Sequence, residues 1–521
     1  MDSAGTTTGS YTATGGSTLN LSAFELHSGG SAADTFNVSS TPTASLSGQG
    51  GDDIFNFATG ASITGTIFGG ANDDTLSFAA STTDVTVSLT AVNGGDGGFN
   101  GTTGLASGGF QSIDSVAGGS GDDTLNGLTA AAGVWTIDAT NTYVSGQTLE
   151  FSGIDNLTGS SAADTFNVTP SLTATINIIG GNPVTSPGDT LNFTVPTGQN
   201  LTLTPNGVDG GTLSTPGGFQ DVTFDEIEEI LFMGDSTLTV NGTDQDDRFD
   251  LTLTGPGAGN LEVTVDVDGT PGPTMSFNVG FSGVQRLIVN GGDENDVFRQ
   301  NNTGGPLGVT SGIEFNGQGG SDTLEILNGT ATTVAHNFTN ANDGSITTDA
   351  FVFDYTGLEP ILDTITATTR TFTFAGTDDD ITLSDLGGGM SRIESVSSSE
   401  TVDFANPTTT LTINGGDGAD TVDASTSAVA VTINGGGGAD EIIGTPLADA
   451  INGEAGDDTI IGGTGNDTLD GGADNDLLIW NNGDGSDSVD GGGRHRRTGG
   501  QWLDGFSGRG SDFGFGQRGE I

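Results

Sequence analysis

The chain has no cysteine and no lysine, and its ten basic residues are all arginine, five of them after Asp490. The missing cysteine excludes disulfides and thiolate metal sites, while leaving the compartment open. Three histidines, His27, His336 and His495, are too scattered to suggest zinc. Between Met1 and Val240 there is no basic residue at all, a poor composition for gripping an anionic polysaccharide. No apolar run approaches the ~20 residues of a membrane helix. The opening stretch, MDSAGTTTGSYTATGG, lacks the basic region and apolar core of an ordinary signal peptide. Helical periodicity is nearly absent, and with it the long amphipathic segments that a pore-forming toxin would need.

What remains is glycine and acid. The 521 residues include 91 glycines and carry a formal charge of -58, with only 32% hydrophobic residues. Such a one-sided charge ordinarily points to disorder. Here, however, the glycines are periodic, and phenylalanine and β-branched residues recur at fixed distances from them. A fold this acidic repels nucleic acid and anionic lipid, so neither is an expected partner. It needs counter-cations, and hard divalent ions suit carboxylate and carbonyl oxygen.

The clearest order lies in Gly435 to Ile479: GGGGADEII, GTPLADAIN, GEAGDDTII, GGTGNDTLD, GGADNDLLI. These are nine-residue units without gaps. Each opens on glycine, carries aspartate at its sixth place, and has Ile442, Ile451, Ile460, Leu469 or Leu478 at its eighth. Glycine at the turn places permits positive φ, which a Cβ would penalise. The eighth-place aliphatic sits on a short strand and points inward; one unit cannot bury it alone, so stability depends on stacking. With two units per coil, residues eighteen apart stack. Asp440, Asp458 and Asp476 then form one column, and Asp449 and Asp467 another. Rungs ~4.8 Å apart bring like charges together at a cost of about 4 kcal/mol per pair at an effective dielectric near ~20. The column therefore calls for cations between rungs, and six or seven oxygen ligands favour calcium over magnesium.

Upstream, period-two runs such as Val85 to Val92 and Leu261 to Val267 read as strands between Gly, Asn and Asp turns. SAADTFNV at Ser31 returns at Ser161, and VNGTDQDDRF near Val240 has a counterpart in FAGTDDDITL near Phe374. The expected division is a flexible leader (1–28), a β-repeat module (29–126), a β linker (127–159) and a second copy of the module (160–239). A second module type (240–300), an intervening β segment (301–373) and its second copy (374–414) follow, then the roll (415–493) and an aberrant basic tail (494–521). Intervals of 19 to 21 residues between glycine-aspartate turns suggest a solenoid coil with that turn on one side only; independent β-sandwiches are the alternative. The tail is either native or the product of a shifted reading frame.

The matches at Gly118, Gly415, Gly435 and Gly462 are complete for GGxGxDxUx, and those at Gly453 and Gly471 miss one glycine. This block resembles the hemolysin-type, or RTX, calcium-binding repeat family. The resemblance implies an all-β fold ending in a right-handed parallel β-roll, several bound Ca2+ ions, and bacterial secretion followed by folding on extracellular calcium. Candidate metal ligands are Asp420, Asp440, Asp449, Asp458, Asp467, Asp476 and Asp487, with Gly435, Gly437, Gly453, Gly462 and Gly471 at the turns. In the unit at Gly444, Thr445, Pro446 and Leu447 replace the turn residues, which puts calcium beside Asp449 in question. Asp53, Asp74, Asp123, Asp296 and Asp322 either bind calcium at a coil edge or cap backbone amides. Phe36, Phe55, Phe166 and Phe298 are expected in the core. No catalytic constellation stands out. The expected function is a secreted or cell-surface calcium-binding repeat protein, structural or adhesive, with surface or matrix polymers as partners. A calcium-dependent enzyme acting on polysaccharide is the alternative.

Overall fold

The computed structural model describes residues 9–492, apart from 14–16, 22–25, 172, 182–187, 207–209, 235, 256, 266–274, 304–308, 350, 377, 396–398, 480 and 482. The expectations for the 494–521 tail fall outside the described residues. The described residues form strands and turns with no helix, as period-two alternation and frequent glycine require. Two compact units are present: Met1–Leu238 with Met275–Ser282, and Thr239–Thr274 with Gly283–Ile521.

In the first unit, strands from successive coils pair in parallel and stack like on like. Thr35–Val38 lies beside Ile54–Ala58, which lies beside Thr75–Ala80, so that Phe36, Phe55 and Leu76 form one interior file. Phe36 and Phe55 stack with ring centroids 4.9 Å apart. This pairing identifies solenoid coils and sets aside the sandwich alternative, whose strands would pair antiparallel. Residues 127–159 are coil rather than linker. Val134–Ile137 pairs in parallel with Thr165–Val168, and Trp135 is fully buried against Phe166. Gly9–Ala13 and Ser17–Leu21 pair antiparallel with each other, and Gly9–Ala13 also pairs antiparallel with Thr35–Val38, where a flexible leader was expected. Their Tyr, Thr and Leu alternation suits a strand.

The second unit ends in the regular roll. Ile442, Ile460 and Leu478 face one another in one sheet, and Ile451, Leu469 and Val489 in the other. The first five of these six are at most 6% exposed, so the eighth-place aliphatics form the interior. Earlier coils are longer because antiparallel hairpins are inserted into them. Asp247–Gly255 folds onto Ala258–Val265, and Asp380–Gly387 onto Met390–Ser395. Phe166 and Phe298, like Phe36 and Phe55, are core residues.

Candidate metal centre

In both units the turn aspartates share one backbone arrangement. The N–H of a turn aspartate donates to a carboxylate oxygen one coil later, in most cases Oδ1 of the next aspartate. Asp74 donates instead to Oδ2 of Asp114, and Asp189 to a glutamate oxygen of Glu228. In the roll these bonds run from Asp420 to Asp440 (2.9 Å), Asp440 to Asp458 (2.9 Å) and Asp458 to Asp476 (3.2 Å). The opposite corner links Asp449 to Asp467 (2.9 Å) and Asp467 to Asp487 (3.0 Å). Both expected columns are therefore present. The same bond joins Asp34, Asp53 and Asp74 in the first unit, and Asp247, Asp296 and Asp322 in the second. A backbone donor thus neutralises half of each carboxylate's demand, a contribution that residue types alone cannot reveal.

The other oxygen, Oδ2, divides the corners into two kinds. At Asp34, Asp123, Asp164, Asp247 and Asp449 it accepts the N–H of the residue four places earlier. At Asp449 the hydroxyl of Thr445 also donates, 2.9 Å from each oxygen. At Asp53, Asp74, Asp296, Asp322, Asp420, Asp440, Asp458, Asp467 and Asp476 the buried Oδ2 has no donor among the described residues. The cause is backbone conformation at the second place of the turn. Gln49, Gly70, Gly292, Gln318, Gly416, Gly436, Glu454, Gly463 and Gly472 all have positive φ, whereas Gly30, Gly119, Ser160, Thr243 and Thr445 do not. Where φ is positive, several successive turns pair in register, as Gln49 with Gly70 and Gly436 with Glu454. We call these corners open, and the amide-satisfied ones closed.

The first-place glycine is a steric necessity. A Cβ on Gly435 would stand 2.4 Å from Asp440 Oδ2 and 2.8 Å from the carbonyl oxygen of Gly453. On Gly453 it would stand 2.3 Å from Asp458 Oδ2 and 2.6 Å from the Gly471 carbonyl. Gly462 and Gly471 stand equally close to Asp467 and Asp476, each 2.6 Å from Oδ2 by the same measure. Gly437, at a third place, faces Asp417 instead. Asp487, the last of the candidate aspartates, is half-buried at the end of its column.

An open corner thus gathers acceptor oxygens from successive coils with no hydrogen between them. Burial pushes Asp440, Asp467 and Asp476 up to about 6, against the opposing amide bond and with help from neighbouring carboxylates. Asp74 rises to about 7 and Asp296 to about 8 for the same reasons. Among the described residues, no three acidic or imidazole side chains converge on a point. A cation held here would take one carboxylate from a rung and its remaining ligands from backbone carbonyls, an all-oxygen set that suits calcium. The residues present fit that ion.

One buried group escaped sequence reasoning. Arg370, Asp363 and His336 are fully buried in the second unit. Arg370 bonds Asp363 Oδ2, His336 Nε2 lies 3.0 Å from the same oxygen, and the Ile365 amide bonds Oδ1 at 2.9 Å. Arg370 also donates to the Ile365 carbonyl and lies over the Phe404 ring. Its signal was available, since Arg370 alternates with Phe372 and Phe374 on an inward face. No helix among the described residues is long and apolar enough to cross a membrane.

The family model of the RTX calcium-binding nonapeptide repeat matches four copies, at residues 108–129, 412–426 and 443–478. These segments contain Asp123, Asp420 and the central roll, so the chain carries calcium-binding repeats of this kind. No curated protein matches the chain.

Proposed function

We propose that this is a secreted or cell-surface bacterial protein in which calcium, bound at the open corners of the roll, completes a structural or adhesive scaffold outside the cell. The observation that carries the reading is the column Asp420, Asp440, Asp458 and Asp476. Each member is at most 2% exposed and leaves Oδ2 without a donor. A buried carboxylate with one oxygen unmet either takes a proton or takes a cation. At extracellular pH and calcium, the cation neutralises the column and joins adjacent rungs. In a low-calcium cytosol the same column resists closure, so the chain stays loose until export.

A scaffold accounts for the acids better than an enzyme does. The turn aspartates are committed to ladders, and the buried Asp363, His336 and Arg370 have no exposed surface through which to meet a substrate. Surface or matrix polymers are the partner class that such a scaffold would present itself to.

Calcium titration followed by far-UV circular dichroism and small-angle scattering tests the mechanism. Strand signal and compactness should rise together from EDTA to millimolar calcium. An unchanged spectrum and radius would sink the folding role. A screen of polysaccharides for turnover tests the scaffold reading, and reproducible calcium-dependent depolymerisation would overturn it.

A further inference from the structure

The open corners do not coincide with the matched repeats. Asp123 and Asp449 lie inside matched segments, at 108–129 and 443–478, yet both are closed. The amides of Val85 and Gly119 occupy the two oxygens of Asp123, and those of Val431 and Thr445 the two of Asp449. Conversely, Asp53 and Asp74 in the first unit, and Asp296 and Asp322 in the second, lie outside every matched segment and are open.

These four have no exposed surface, and each has an Oδ2 without a donor. Each Oδ2 lies over a first-place glycine beside a carbonyl from the following coil. At Gly48 a Cβ would stand 2.0 Å from Asp53 Oδ2 and 2.5 Å from the Gly69 carbonyl; at Gly317, 2.3 Å from Asp322 Oδ2 and 2.6 Å from the Gly357 carbonyl. Beside Gly291, over which Asp296 Oδ2 lies, a polar groove of about 250 Å3 opens between Asn241, Gly242, Asn290, Gly292 and Gln318.

We propose that divalent cation sites follow the open corners and not the nonapeptide motif, so that Asp53, Asp74, Asp296 and Asp322 bind calcium while Asp123 and Asp449 do not. The coordination is the one argued for the roll, an unmet carboxylate oxygen completed by carbonyls of stacked turns. A closed corner has already spent that oxygen on an amide. At Ser160, Thr243 and Thr445 the second-place residue is serine or threonine, and all three corners are closed.

The test counts calcium bound per full-length chain by equilibrium dialysis and elemental analysis, with circular dichroism at saturating calcium to verify the fold. Asp53→Asn and Asp296→Asn should each lower the count by about one ion, while Asp123→Asn and Asp449→Asn leave it unchanged. Full retention by both upstream variants, or a loss at Asp123→Asn or Asp449→Asn, would overturn the proposal. Should an asparagine variant misfold, Gln49→Thr and Gln318→Thr close the same corners by copying Thr243 and Thr445. Each should shed about one ion with the strand signal intact, and an unchanged count would overturn the assignment. The inference rests on calcium binding by the roll. If Asp440→Asn and Asp458→Asn also leave the count unchanged, that underlying reading fails; if they lower it while the upstream variants do not, only the extension fails.

Discussion

Asp363 and Asp440 are both buried carboxylates of the second unit, each accepting one backbone amide through Oδ1. They differ in what meets the second oxygen. At Asp363 it is Arg370, with His336 beside it. Burial alone would raise this carboxyl, but the Arg370 charge and the bonds from His336 and Arg370 hold it well below the usual carboxylate range. At Asp440 no donor among the described residues meets Oδ2, and burial lifts the carboxyl to about 6. The coil around Asp363 carries its counter-charge in its own sequence, whereas the roll leaves it to the medium. A chain with so little arginine can make the first arrangement rarely; the second can be repeated at every rung, and it makes folding conditional on an ion.

The sharpest way to break this contrast is Arg370→Met. Stranding Asp363 should cost about 3–5 kcal/mol, the usual penalty for a buried charge that loses its partner. Urea denaturation at saturating calcium reads it, and Asp363→Asn in the same chain should restore a large part. A loss no greater than that of the partly exposed Arg392→Met would show that Asp363 is not charge-compensated as described.

Next in size is the calcium response of the roll. The double variant Asp458→Ala, Asp467→Ala should raise the calcium midpoint of the circular dichroism transition by ~10-fold or more, since even supporting groups around a metal are worth that much. An unmoved midpoint would remove both residues from the site.

Acid sharpens the comparison further, because the two regions respond with opposite sign. A carboxyl raised in the fold favours the folded state fully below its unfolded value of 3.8, and that contribution is lost as pH rises through the folded value, about 6 at Asp440, Asp467 and Asp476. Calcium-free roll should therefore resist proteolysis better at pH 5 than at pH 8, with calcium protecting most at pH 8. His336, lowered by burial, does the reverse: it contributes above its unfolded value of 6.5, and the contribution is lost as pH falls below it. Hydrogen exchange mapped to residues 330–374 and 435–479 separates the two, and parallel behaviour in both segments would contradict the assignment. The smallest effect belongs to Thr445→Val, which removes the hydroxyl from Asp449. It should cost about 1 kcal/mol, with no change in bound calcium.

The roll was legible because its period never varies between Gly435 and Leu478. Eighteen-residue stacking alone places Asp440 over Asp458 and Asp449 over Asp467. Upstream, the same corner recurs at steps of 49 residues from Asp247 to Asp296 and 26 from Asp296 to Asp322. Inserted hairpins lengthen the coil without changing the rung, so no fixed period survives to be read. The open or closed state was only half legible. Threonine or serine at the second place marks Thr243, Thr445 and Ser160, but Gly30 and Gly119 form closed corners with the same glycine that opens Gly70 and Gly436. Backbone torsion decides there, and glycine leaves torsion free.

The amide-to-carboxylate bonds along the columns all point the same way: an earlier aspartate donates and a later one accepts. Each of these aspartate columns is therefore directional. Parting a column between two rungs leaves a bare aspartate N–H on the earlier rung and a bare carboxylate oxygen on the later one. The neighbouring bonds from Asn475 to Asp457 and from Asp73 to Asp52 run the other way. A chain emerging N-terminus first presents donors that wait for the next coil's acids, and each arriving acid brings the demand for the next cation.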